Sequence, residues 1–322
     1  MDRIERIGSY RITELLAQRT TADVYAAVGE GPGGYAQPVA VKALRTSIAR
    51  SASHLPQFLH EARAAAAVYH PNIVQAHGLV EEDDRYYLVM ELVRGWTVRA
   101  LAATLALRRR AIAVDVAVAI VRDAASGAHA LHTAGLIHRN LSPENLMIAA
   151  GGHVKIIDFG CATWEVTERA HPTPLPQLDV GCASPEAAMG QRVDRRGDVY
   201  TLAAVLHELI TGAPPAAGAG WPRWRGSSPS RTAPRSDVPE ALTAVIDRAL
   251  RYDPEDRHDA AGDFAEALEE VEVQQGWRTS PAALGAYLAQ TFTGVVAHGA
   301  LPRPIAASNM GKTRVYLRRL AR

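Results

Sequence analysis

The chain has few cysteines, almost no net charge and no long apolar run. Its 322 residues hold two cysteines, Cys161 and Cys182, which form no C-x-x-C pair. That spacing argues against a redox dithiol, and two reduced thiols in a cytosolic setting are the simplest reading. The net charge of +1 excludes a global field that would draw the chain to nucleic acid or a membrane surface. No apolar run reaches the ~18 residues of a spanning helix. The best candidate, 111–121, is short and contains Asp115. The start, Met1-Asp2-Arg3-Ile4-Glu5-Arg6, lacks the apolar core of a signal peptide. His129 and His132 lie three apart in a helical stretch, with no Asp, Glu or Cys in ligand spacing around them. Packing or solvent exposure is expected there, not metal binding.

Hydrophobic residues make up 48% of the chain, enough for one large or two modest cores. The first part reads as strands. Tyr10–Leu15 alternates, Val24–Val28 follows, and a Gly/Pro turn at 29–34 precedes the strand Val39–Ala43. Leu79-Val80, a turn at 81–85 and Tyr86–Leu92 predict a further hairpin. Phe58-Leu59-His60-Glu61 begins an amphipathic helix. Beyond residue 94 the periodicity becomes helical. Ala111–Thr133 has apolar residues at 114, 117, 118, 121, 124, 125, 128 and 131, and Leu202–Ile210 and Leu242–Leu250 are similar. Trp221–Asp237 reads as a loop.

Six short motifs occur in a fixed order. They are Val39-Ala40-Val41-Lys42, Glu61 in its helix, His138-Arg139-Asn140-Leu141-Ser142-Pro143-Glu144-Asn145, Asp158-Phe159-Gly160 after the strand Val154–Ile157, Ser184-Pro185-Glu186, and Asp198 with a later Asp253–Arg257. The set resembles the bacterial eukaryotic-like (Hanks-type) serine/threonine protein kinases over roughly residues 8–275. The resemblance implies an α+β, two-lobed fold, with an N-lobe sheet plus one helix at 8–93, a mainly helical C-lobe at 94–275, and a helical, basic extension at 276–322. It implies ATP and Mg²⁺ as cofactors. Lys42 would hold the α- and β-phosphates and Glu61 would pair with it. Asn145 and Asp158 would bind the metal. Val24, Ala40 and Met147 would enclose the base, and Glu91 and Val93 would offer backbone groups to it, with Met90 behind. Glu186 and Arg257 are expected as a buried ion pair. The Lys42–Glu61 pair is expected to border an open cleft and to matter less for stability.

Three departures from the family pattern point the other way. The general base of H-R-D-L-x-x-x-N is replaced by Asn140, whose amide has no basic lone pair near neutral pH. The Lys two residues on is Ser142, which carries no charge for the transferring phosphoryl group. Aligned on Val24, the glycine-loop positions are Ala17, Arg19 and Ala22. A Cβ at each restricts positive φ and close approach to phosphates. Arg19 can reach a phosphate or point to solvent. The expected outcome is therefore a pseudokinase, cytoplasmic, that binds ATP weakly and regulates a protein partner. The alternative is a slow but active serine/threonine kinase. The expected partner surfaces are the face of the Glu61 helix, the activation segment with Thr163, Thr167 and Thr173, and the tail helix Ala282–Phe292. In that helix, Leu284, Tyr287, Leu288 and Phe292 share one face after Ser280-Pro281.

Overall fold

In a computed structural model of the protein, residues 5–19, 21–45, 54–83, 85–170, 181–215 and 235–293 are described. Thr173, the prolines at 172, 174 and 176, and the basic end with Lys312, Arg314, Arg318 and Arg319 lie outside them. The described chain divides into two compact units, one of residues 5–96 and 157–160, the other of 97–156 and 161–293.

The first unit is built on a six-stranded sheet. Its strands are β1 (Arg6–Ile7), β2 (Tyr10–Gln18), β3 (Ala22–Glu30), β4 (Ala36–Leu44), β5 (Ala76–Glu82) and β6 (Arg85–Glu91), in spatial order β1-β2-β3-β4-β6-β5. Neighbouring strands pair antiparallel. The β5–β6 turn is tighter than expected, with Asp83 at φ 52°. Because side chains alternate along a strand, β4 sorts its residues to two faces. Val39, Val41 and Ala43 join Ile7, Ala27, Tyr87 and Val89 in one apolar cluster. Ala40 and Lys42 face the other way, opposite Met90 and Leu88 of β6, with Val24 of β3 beside Lys42. The helix His54–Ala67 buries Phe58, Glu61, Ala62 and Ala65, the i, i+3, i+4, i+7 stripe of one helical face.

The second unit is mostly helical. The helix Val98–Leu107 starts on Thr97, whose hydroxyl accepts the Ala100 amide. Val114–Thr133 carries the expected stripe, beginning three residues later than its periodicity suggested. A hairpin of Leu146–Ala149 and Val154–Ile156 follows. Arg195–Thr211 is capped by Asp194, ends on the left-handed Gly212, and is buried along nearly its whole length. Glu240–Ala249, Ala261–Gln275 and Pro281–Phe292 complete the unit.

The last helix corrects one expectation. Ser280 caps it as read, accepting the Ala283 amide. Yet Leu284, Leu288 and Phe292 are buried within the second unit, so this face is not free to dock a partner. It packs on the turn at 150–152 so closely that a Cβ on Gly285 would lie 2.8 Å from the Ala150 carbonyl. A Cβ on Gly152 would meet the Pro281 carbonyl at 1.7 Å, and Gly152 itself sits at φ 86°. Thr279 also donates to Asp115 at 2.8 Å. An amphipathic sequence reports that a face is covered, but not by what.

Candidate active site

The first unit gathers three charged side chains. Lys42 Nζ lies 2.5 Å from Glu61 Oε1 and 3.2 Å from Asp158 Oδ1. The pair expected to border an open cleft is itself buried: the Lys42 and Glu61 side chains are only 10% and 5% exposed. The helix 54–67 turns Glu61 inward on the same face as Phe58 and Ala65, and that burial changes the electrostatics. Burial works against the Lys42 charge, but Asp158 and Glu61 outweigh it and hold the ammonium pKa above its ordinary value. Burial likewise opposes ionisation of Asp158, yet Lys42, Arg19 and the Gly160 N–H together hold it well below the usual carboxylate range. Glu61 is left with the deficit. Desolvation, aided by the Asp158 charge, pushes it up to about 7 against the pull of Lys42.

Arg19 acts on Asp158 from the β2–β3 turn, where its amide donates to the Ala22 carbonyl at 2.9 Å. Ala17, Arg19 and Ala22 all avoid positive φ, so this turn forms without glycine. Gln57, one helical turn before Glu61, donates to the Gly160 carbonyl at 3.0 Å and ties the helix to the Asp158-Phe159-Gly160 segment. Phe159 is fully buried. Val24, Ala40, Met90 and Val93 are buried too, and the Glu91 and Gln75 backbones are bonded at 3.0 Å.

The second unit holds the loop 138–145 on one buried carboxylate. Asp198 Oδ2 accepts the His138 amide at 2.8 Å and lies 2.9 Å from His132 Nε2; its Oδ1 accepts the Arg139 amide at 2.7 Å. Burial opposes the Asp198 charge, but the bonds from His132 and His138 win and lower its pKa. Arg139 takes φ 64° and donates through Nε to the Cys161 carbonyl at 2.8 Å. Asn145 Nδ2 donates to the Asn140 carbonyl at 2.9 Å, which closes the loop. Ser142 and Met147 are buried, and Asn140 is half-buried. Arg139 and Asp158 are two of four non-glycine residues at positive φ among those described. Such backbone strain concentrates at functional sites.

Glu186 and Arg257 form the expected buried pair, two-pronged at 2.9 and 2.8 Å. Sequence reading missed Gln57 and the clamp role of Asp198 with His132. A polar residue four before Glu61 was the available sign of the first. Nothing local marks the second, whose partners are 59 or more residues away in sequence. Among the described residues no cluster of His, Cys, Asp and Glu is arranged to hold a metal by protein ligands alone, and no helix is long and apolar enough to cross a membrane.

Comparison with known proteins agrees with this geometry. The family model described as the protein kinase domain matches residues 10–269. The tyrosine-protein kinase MasK of Myxococcus xanthus is 30% identical over 302 residues, covering 90% of this chain and 47% of that protein. The serine/threonine-protein kinase PknB of Mycolicibacterium smegmatis is 34% identical over 250 residues, covering 74% and 39%. The chain thus spans less than half the length of these relatives. Among solved structures, the Mycobacterium tuberculosis PknI kinase domain superposes with a TM-score of 0.64 at 27% identity, covering 82% of this chain and 97% of that one.

Proposed function

This chain belongs to the protein kinase family, and from that premise we propose that it binds Mg-ATP and passes the γ-phosphoryl group slowly to a protein serine or threonine. The observation that carries this reading is the assembled Lys42–Glu61–Asp158 set. A non-functional relic has no reason to keep a buried ammonium, an ionised carboxylate beside it and a glutamine holding both elements in place. The donor set fits the cofactor: a fixed cation suits phosphate oxygens, and a carboxylate with an amide suits a hard divalent ion. When bound, Mg-ATP supplies the transferable phosphoryl group. Lys42 binds the α- and β-phosphates, Asp158 and Asn145 hold the metal, and Arg19 adds a cation where other family members use glycine backbone. Val24, Ala40 and Met147 provide the apolar walls for the base, and Glu91 and Val93 the backbone contacts. Asn140 orients the acceptor hydroxyl without taking its proton. A loose phosphoryl-transfer transition state tolerates that loss because little bond formation to the nucleophile has occurred. Serine/threonine specificity follows the names of most similar relatives, with MasK the counter-example.

A second reading, that of a nucleotide-binding regulator with no turnover, is favoured by Asn140 and Ser142. The missing base is worth about 10²–10⁴ in rate, and the missing cation about 10²–10³. In that reading the partner docks on the face of helix 54–67 or on the activation segment. Labelled-ATP incorporation into protein separates the two. Slow labelling that disappears in Asp158→Ala supports the kinase. Labelling no greater than that control, together with a thermal shift on Mg-ATP, supports the regulator.

A further inference from the structure

The second unit carries a cavity of about 520 Å³ apart from the loop 138–145. It lies where the helix 98–107 ends, against residues 109–112 and the end of the helix 195–211. Its lining holds four arginines, Arg99, Arg109, Arg110 and Arg235, and one carboxylate, Glu208. That carboxylate is already engaged by Arg99, and Arg235 is held by Asp237 at 2.5 Å. Arg109 and Arg110 are exposed, and among the described residues neither makes an ion pair.

Basic residues at a helix end often do no more than complement the helix dipole. Two observations go beyond that. Arg109 occupies φ 51° just past the helix, a position where glycine is the usual residue. A β-carbon there costs backbone strain, and a residue kept against such strain points to a use for its side chain. In addition, the one acid that lines this cavity is already taken, and the segments next to it in sequence bring none. Residues 216–234 contain Arg223, Arg225 and Arg231 and no Asp or Glu, 294–322 contain neither, and 171–180 contain only Asp179.

We propose that this cavity docks an acidic segment of a partner polypeptide, with carboxylates on Arg109 and Arg110 and apolar side chains against Ala102, Ala106 and Ala111. The volume lies within the roughly 300–1,000 Å³ of built ligand sites, and the mixed apolar and guanidinium lining suits a peptide better than a free anion. Arg99 also lies 3.6 Å from Glu144, inside the loop 138–145. A docked segment therefore sits alongside the loop that would receive the acceptor hydroxyl. The site serves a kinase recruiting its substrate and a regulator holding its partner equally, so it stands independently of turnover.

The test is fluorescence anisotropy with the full chain and a labelled glutamate-rich peptide carrying two leucines. Binding should weaken steeply with salt, and a lysine-for-glutamate version should not bind. Arg109→Glu with Arg110→Glu should weaken binding roughly tenfold or more with the melting temperature unchanged. If that pair disturbs folding, the exposed single change Arg110→Gln should still weaken binding measurably. Unchanged affinity in these variants, or no binding by the wild type, would overturn the proposal. So would inorganic phosphate alone displacing the peptide at equal charge concentration, since that assigns the site to small anions. Mg-ATP thermal shift, read on the same samples, is expected to be identical in all variants, so its failure would count against the nucleotide reading alone.

Discussion

Replacing Glu61 by Gln keeps the side chain's size and removes its charge, and the structure dictates how the effect should vary with pH. Glu61 is buried and shares the Lys42 ammonium with Asp158. Its pKa rises from the ordinary 4.5 to about 7, with desolvation the leading cause. An acid whose folded pKa is raised binds more protons in the folded than in the unfolded state between those two values. Stability from this residue is then greatest below about pH 4.5 and falls as pH rises towards 7. The interval corresponds to an effect on the order of 3 kcal/mol. Glu61→Gln cannot titrate, so the wild type should gain stability relative to the variant on going from pH 8 to pH 5. Gln stands in for the protonated acid, so the two proteins should be close at pH 5 and the variant the more stable at pH 8, where Lys42 still keeps Asp158 as its counter-ion and no buried charge is stranded. Urea denaturation midpoints of both proteins across that range test this, since histidine titrations common to both cancel in the difference. A pH-independent difference, or one in which the wild type gains towards alkaline pH, would refute the assignment of the shared proton to Glu61.

Other outcomes follow from the same geometry. Glu186→Ala should destabilise by about 3–5 kcal/mol by stranding the fully buried Arg257, whose head also serves the Arg196 and Tyr252 carbonyls; a loss below 1 kcal/mol would contradict this. Asn140→Asp should raise phosphoryl transfer by about 10²–10⁴ if a base is all that is missing, and an unchanged rate would direct attention to Ser142 and the β2–β3 turn. Lys42→Ala should reduce the thermal shift produced by Mg-ATP, and a full shift would remove Lys42 from the phosphate site. Gly152→Ala should loosen the helix 281–292, because no Cβ fits 1.7 Å from the Pro281 carbonyl; hydrogen exchange in that helix should rise while that of 195–211 stays slow.

The protein kinase fold and the residues of its candidate site were legible in the chain because they are carried by short motifs in fixed order. Lys42, Glu61, Asn145, Asp158, Glu186 and Arg257 could each be named from local context, since strand alternation and helical periodicity are properties of neighbours in sequence. The departures at Asn140 and Ser142 were equally plain, but their consequence for turnover was not, because chemistry depends on what the remaining groups do together. Tertiary structure alone decided the quantities that depend on distance and solvent. It buried the Lys42–Glu61 pair, which was expected to border an open cleft, and so raised the Glu61 pKa. It brought Arg19 within electrostatic reach of Asp158, which lies 139 residues away by number. It covered the apolar face of the helix 281–292 with the unit's own turn at 150–152. It collected Arg99, Arg109, Arg110 and Arg235 around one cavity. Sequence periodicity tells which residues leave water, whereas the dielectric and the partners they meet are set only when distant segments pack.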